Sequence, residues 1–520
     1  MLLTAVATFL NLIAGYLWGW PMLILLVGTG VWLTIQLHGL QFRLLIPSLI
    51  DIFRPQPAKH GEGTISNRSA LLTALAATVG TGNIAGVATA IVIGGPGAMF
   101  WMWVSGLFGM ALKYAETMLG VHYRIKAADG SFRGGPMYYL THGAGMAWLG
   151  LIFAAFLSFA ALSIGGMVQS NSVADALHSS FNFNPTIVGA VMALLAAVIM
   201  FGGLKRIAQI ADTLVPLKIF VYAATGIIIL LANAAYLPDL FVTIFRDAFT
   251  GTAAVGGFAG STMLLTMRYG LARGVFANES GLGSAPIVAA TAQTTHPTEQ
   301  ALISMTQTFI DTFFVCTFTG LVILVTGAWT SSAVSSGGAS LTQLAFNSGL
   351  GGIMVGSVPL GGTIVAICLM LFAFTTVLGW GFYGQQGAVY MFGPKAAKPY
   401  LVIFLLCTFF GAAVLDLAAS IAQGVQFIWT IADIATGLMM LPNLLALWLL
   451  GGKVRTLTFD YLRHKRTGQP LKHAPFHFAA PVRSNAAASK PQVKAPNPPL
   501  KTMAGRQVSK KKPTKGKNRR

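Results

Sequence analysis

The chain has 520 residues, 55% of them hydrophobic and only 9% charged. A soluble globular protein carries about 25% charged residues, so this composition excludes that class and leaves a polytopic membrane protein. The net charge of +20 is lopsided: 18 of the 34 Lys and Arg lie from Lys453 onward, against one acid, Asp460.

About eleven membrane-spanning helices are predicted in chain order, each with roughly the 20 apolar residues that a bilayer requires. They fall at 12–37, 69–94, 97–121, 147–177, 187–203, 212–235, 255–292, 301–327, 363–391, 398–416 and 426–450. Residues 329–362 are rich in Gly and Ser and read as a long connection with room for a short helix. From 453 to 520 the composition turns basic and Pro-rich, which predicts a disordered tail near anionic headgroups. Specific nucleic-acid binding is not expected, because nothing folded accompanies the charge. Cys316, Cys368 and Cys407 lie in apolar runs without metal-ligand spacing and read as core residues. The N-terminus has no basic n-region or clear cleavage site, so the first span is read as a retained helix rather than a signal peptide.

Loop charge predicts orientation. Arg43, Arg54, Lys59 and Arg68 follow the first span; Arg124, Lys126 and Arg133 the third; Lys205 and Arg206 the fifth; Lys395 and Lys398 the ninth. The opposite loops carry almost none, Arg246 excepted. By the positive-inside rule the N-terminus is outside and the tail cytoplasmic.

Two spans are interrupted. The second holds Gly80, Thr81, Gly82, Asn83 and Gly86; the seventh holds Gly274, Asn278, Glu279, Ser280, Gly281 and Gly283. Gly and Asn are poor helix formers, and opened backbone in hydrocarbon persists only where protein buries it or a cavity meets it. With the span 12–37 set aside, the breaks fall on the first and sixth of ten helices. Paired breaks at corresponding places in two halves are the pointer to an inverted-repeat secondary transporter. The halves are 69–235 and 255–450, within a transporter domain 1–452. A half-helix starting near Gly80–Asn83 points N–H groups at a carboxylate, and the preceding carbonyls suit Na⁺.

The stretches "GTGNIAGVATAIVIGGPGAMFWMW" (80–103), "FRGGPMYYL" (132–140) and "ARGVFANESGLGSAPI" (272–287) resemble the signatures of the alanine/glycine:cation symporter family, over about residues 10–455. The resemblance implies an all-α fold with a five-plus-five inverted repeat and two broken helices. It implies symport of Na⁺, or H⁺, with small neutral amino acids such as alanine and glycine, in the inner membrane of a bacterium. It also implies that Gly80, Thr81 and Gly82 hold the carboxylate while Asn83 helps to hold Na⁺. By the same resemblance, Thr375 and Thr376 of the ninth span join the carbonyls of Ala76 and Val79 around Na⁺.

Four other residues complete the expected substrate site. Gln169 is a lone amide in an apolar span, Asn278 lies in the second break, and Phe276 and Trp380 are candidate walls. Thr376 is counted on the substrate side as well. Lys113 and Glu116 are expected to pair, Glu279 to pair with Arg273 or gate the path, and Asp311 to face the cation. No catalytic triad, metal cluster, phosphate loop or haem motif is present, so neither an enzyme nor a bound cofactor is expected. The alternatives are an ion channel or a carrier of another small carboxylate-bearing solute.

Overall fold

The computed structural model describes residues 2–54, 61–255, 260–331, 338–356, 358–417 and 421–477, so most of the basic tail lies outside the described residues. The chain opens with α1 (Leu2–Leu17) and α2 (Trp20–Gln36). Where one straight span was expected, a turn at Trp18 and Gly19 intervenes. After His38 and Gly39, both at positive φ, α3 (Leu40–Phe53) turns off as a separate helix in a stretch read as loop.

The first repeat follows. Ser66 caps α4 (Asn67–Thr78) by accepting from Ser69 N at 3.0 Å, the usual way to satisfy a first-turn donor. At Val79 the backbone leaves the helical region, and a π turn over Gly82–Gly86 leads into α5 (Val87–Gly94), bent 52° from α4. Then come α6 (Ala98–His122), the hairpin β1 (Ile125–Lys126) and β2 (Phe132–Arg133), and α7 (Pro136–His142). A 35-residue helix contains α8 (Ala147–Ala160), a π stretch Ala161–Val168 and α9 (Gln169–Phe181). The repeat closes with α10 (Pro185–Met200) and α11 (Gly203–Ala232). An amphipathic helix, α12 (Leu237–Thr250), joins the halves where a loop was expected.

The second repeat begins with α13 (Met263–Asn278), capped by Thr262 through Leu265 N. It breaks at Glu279–Ser284 and resumes as the short α14 (Ala285–Ala289). Next are α15 (Pro297–Thr308), a π stretch Phe309–Cys316 and α16 (Thr317–Val325). The expected short helix in 329–362 is α17 (Gly338–Gly349). Then follow α18 (Leu360–Phe392), α19 (Ala397–Leu417) and α20 (Ile421–Thr467). The tail, expected to start at 453, is helical to Thr467. Residues 468–477 then fold back: Asp460 accepts from Lys472 N at 2.8 Å and His473 N at 2.9 Å, and His477 N bonds His122 O at 2.8 Å. The Pro-, Lys- and Arg-rich ending from which disorder was read lies outside the described residues.

Among the described residues, seven helices are long and apolar enough to cross a membrane, or eight with the bent α4–α5 pair. The expected eleven included α6, which buries Lys113 and Glu116, the 16-residue α10, and the split α13–α14. Buried charge in α6, shortness in α10 and interruption in α13–α14 set these apart from the long apolar helices. Exposed side chains such as Leu194, Phe220 and Ile403 form the apolar outer belt of a multi-pass membrane protein.

Candidate functional site

Both breaks are sealed in the interior. Thr81, Asn83, Asn278 and Ser280 are 0% exposed, and Glu279 is 2%. At the first break, Gly80 N–H donates to Asn83 Oδ1 at 2.9 Å, and Thr81 N–H to Gln169 Oε1 at 3.3 Å. Gln169 is turned to this point because its amide donates to Ile164 O, a carbonyl of the π stretch, at 3.0 Å. A Cβ on Gly80 would meet Thr376 Oγ1 at 2.5 Å and Gln169 Oε1 at 3.1 Å. Gly80, Thr81, Gln169 and Thr376 therefore lie together in one polar cluster.

Gly82 stands elsewhere. A Cβ there would lie 3.0 Å from Ala277 Cα and 3.2 Å from Phe276 Cδ1. Its missing side chain lets the two broken helices touch. Phe276 packs at a tilt against Trp429, with ring centroids 5.0 Å apart, and backs this contact.

The second break needs left-handed backbone at Glu279 (φ 56°), Gly281 and Gly283. For Glu that conformation is strained, and its neighbours hold it there. Its Oε1 accepts from Trp380 Nε1 at 2.7 Å, its Oε2 from Ser284 Oγ at 2.6 Å, and its backbone carbonyl from Lys113 Nζ at 3.0 Å. Lys113 thus bonds Glu279 O rather than Glu116. Glu116 instead accepts from Asn443 Nδ2 at 2.6 Å and Gly283 N at 3.2 Å. Arg273, the other expected partner of Glu279, makes a bidentate pair with Asp433 at 2.8 and 3.0 Å.

A polar chain links the breaks. Asn83 Nδ2 donates to Asp311 Oδ1 at 2.7 Å, Thr312 Oγ1 to Asp311 Oδ2 at 3.3 Å, and Asn278 Nδ2 to Thr312 Oγ1 at 3.1 Å. Asp311 lies in the π stretch of the α15–α16 helix, which widens the turn. It was expected to face the cation region, and it contacts Asn83, one of the residues expected there.

The expected Na⁺ position between α4 and α18 needs correction. Ala76 O, Val79 O, Thr375 and Thr376 do converge, and Thr376 Oγ1 donates to Ala76 O at 3.1 Å. Two of these oxygens are engaged by Lys218 of α11, whose Nζ donates to Val79 O at 2.7 Å and also to Thr375 Oγ1. Lys218 is fully buried. Its amine thus engages oxygens that were expected to face a metal ion. Sequence reasoning passed over Lys218, although a lone Lys within a span is itself a signal.

Thr81 Oγ1 and Tyr383 Oη are among the buried polar atoms without a hydrogen-bond partner in the described residues. Tyr383 packs edge-on to Trp380 at 5.8 Å between ring centroids. Unmade bonds of this kind cost about 1–3 kcal/mol each.

The family model described as "Sodium:alanine symporter family" matches residues 3–474. The sodium/alanine symporter AgcS of Methanococcus maripaludis is 44% identical over 464 residues, covering 88% of this chain and 98% of that protein. A probable sodium/glutamine symporter, GlnT of Bacillus subtilis, is 34% identical, covering 87% and 90%. Among solved structures, MhsT in complex with L-phenylalanine matches with a TM-score of 0.54 at 15% identity, covering 77% of this chain and 90% of that one. At that identity the likeness shows the fold, which agrees with the two broken helices of a five-plus-five inverted repeat. The chain belongs to the sodium:alanine symporter family and is a Na⁺-coupled amino-acid transporter, not an enzyme.

Proposed function

We propose that this symporter takes up small neutral amino acids, alanine and glycine first among them, with Na⁺ moving inward, in the inner membrane of a bacterium. The N-terminus is outside and the C-terminus cytoplasmic, on the strength of the Lys and Arg alternation. The observation that carries the reading is the double engagement of Asn83. Its amide gives Oδ1 to the Gly80 N–H and Nδ2 to the Asp311 carboxylate. Na⁺ arriving at Asp311 favours oxygen, so the amide turns over and presents Oδ1 to the ion. That rotation releases the Gly80 N–H, a donor then free for the substrate carboxylate. Each ligand thereby favours the other's binding, and the coupling is reciprocal.

The substrate carboxylate lies across Gly80 and Thr81, and Gln169 Oε1 gives up the Thr81 N–H to it. The ammonium turns to the Glu279 carboxylate. Asn278 positions the second break through Ser280 N, which it holds at 2.9 Å. Phe276 and Trp380 restrict the volume left for a side chain, which suits alanine better than leucine. Lys218 holds the second cation position, leaving one Na⁺, at Asp311.

Proteoliposome uptake of labelled alanine tests this. An imposed Na⁺ gradient is expected to drive accumulation with a Hill coefficient near one in Na⁺. Accumulation driven by a proton gradient with no Na⁺ present would overturn the Na⁺ reading. Steep, cooperative Na⁺ dependence would overturn the single site.

A further inference from the structure

We infer that the cleft between α3 and the end of α20 binds an anionic glycerophospholipid, with its phosphodiester on Arg43, Arg463 and Arg466. The cleft is a cavity of about 410 Å³ that these three arginines share with apolar residues, Leu40, Phe459 and Leu462 among them. It thus offers charge and hydrocarbon contact side by side, which a water-soluble anion does not need and a lipid does.

The arginines are underused. Arg463 donates from Nη2 to Asp460 Oδ1 at 2.7 Å and to Pro470 O at 3.0 Å, while its Nε is buried without a partner among the described residues. Arg43 and Arg466 are exposed and make no side-chain hydrogen bond or ion pair with any described residue. The lining holds three guanidinium groups and no carboxylate; beside it, Asp460 pairs with Arg463 and has both oxygens engaged, and Asp51 of α3 pairs with Arg54. A surplus of about two positive charges meets a phosphodiester monoanion, which guanidinium planes bind bidentately.

The neighbouring helix says which source of phosphate fits. At 14 residues, α3 is about 21 Å long, too short to span a bilayer. It buries Leu40, Gln41, Ser48 and Ile52, yet exposes Phe42, Ile46, Ile50 and Phe53 at spacings that put them on one stripe. An exposed apolar stripe on a short helix beside free arginines describes a helix lying in the headgroup boundary, where acyl chains cover the stripe. The charge and the stripe meet at Phe42 and Arg43, adjacent residues.

The test uses the full-length protein purified in a neutral detergent. Thermal unfolding is followed while phosphatidylglycerol, phosphatidylcholine or inorganic phosphate is added, and native mass spectrometry counts retained lipids. Phosphatidylglycerol is expected to stabilise the protein and phosphatidylcholine to leave it unchanged. The double variant Arg43→Gln/Arg466→Gln removes no hydrogen bond or ion pair to the described residues and is expected to weaken the phosphatidylglycerol response at least about tenfold. Lys395→Gln/Lys398→Gln, which removes two exposed charges elsewhere, is expected to keep it. An undiminished response in the first variant, an equal loss in the second, or stabilisation by inorganic phosphate alone would each overturn the lipid site.

Discussion

Lys218 lies in the apolar run "VPLKIFVYAATGIIILL", where averaging over its neighbours hides a single cation. Its oxygen partners are 139 and 157 residues away in the chain, a juxtaposition that no local pattern records. The oxygens at Ala76, Val79, Thr375 and Thr376 were named through the family resemblance, since a helix break and a pair of hydroxyls do not by themselves assign an ion. Lys218→Met keeps the methylene stem and removes the charge. It leaves Val79 O without that donor, at a stability cost of about 1–3 kcal/mol. We propose that alanine uptake is lost in this variant while size-exclusion behaviour stays normal; normal uptake would strip Lys218 of its cation role. Asp311→Asn is the complementary change. It retains shape, removes the proposed Na⁺ ligand, and should raise the Na⁺ concentration for half-maximal uptake at least about tenfold, as loss of a charged contact of about 1.5–3 kcal/mol requires. An unaltered Na⁺ curve would place the ion elsewhere.

At the scale of elements, the long apolar spans and both breaks could be read in advance, since a cluster of glycines inside a hydrophobic run opens the helix at that point. The short amphipathic helices could not: α3 and α12 carry Arg and Asp among their apolar residues and read as charged loops, although Phe42, Ile46, Ile50 and Phe53 keep helical spacing. Nor did the sequence separate the glycines of the first break by role. Gly80 faces hydroxyl and amide oxygens, Gly82 faces the other broken helix, and a Cβ on Gly86 would meet nothing within 4 Å. The three should therefore respond differently. Gly82→Val forces α13 away and is expected to cost about 1–3 kcal/mol through overpacking, with uptake lost because the breaks no longer meet. Gly86→Ala is expected to leave uptake intact and to raise stability by up to about 1 kcal/mol, from the lower entropy of alanine. Thermal unfolding with alanine and Na⁺ present separates these outcomes. A Gly82→Val protein of normal stability would contradict the packing role that the contact with Ala277 gives it.

For the whole molecule, the inverted repeat sets the two broken helices against each other, and an alternating-access carrier has to part them at one end at a time. One end is held by Arg124, fully buried at the foot of α6. Its guanidinium donates to Ala292 O at 2.8 Å, Ala290 O at 3.2 Å and Glu62 O at 2.9 Å, between the rings of Phe132 and Phe476. Glu62 precedes α4 and Ala292 follows α14, so one side chain ties together the entry to the first broken helix and the exit from the second. Thr64 N to Thr291 O at 2.7 Å and Gln293 N to Ile65 O at 2.8 Å reinforce the same seam. In the proposed orientation this end is the cytoplasmic one. Arg124→Gln shortens the reach and removes the charge, with up to three charge-assisted bonds of about 1.5–3 kcal/mol at stake. The seam should then open more often, and Ile65→Cys, 7% exposed in the closed arrangement, should react with a membrane-impermeant maleimide faster in inside-out vesicles. A rate increase of at least about tenfold over the Ile65→Cys parent is expected, since about 1.4 kcal/mol removed from closure multiplies the open population tenfold. Added Na⁺ and alanine should lower the rate if both ligands favour the closed state. A folded Arg124→Gln protein whose Ile65→Cys reacts no faster than the parent would show that Arg124 supports the hairpin and tail without holding the seam shut.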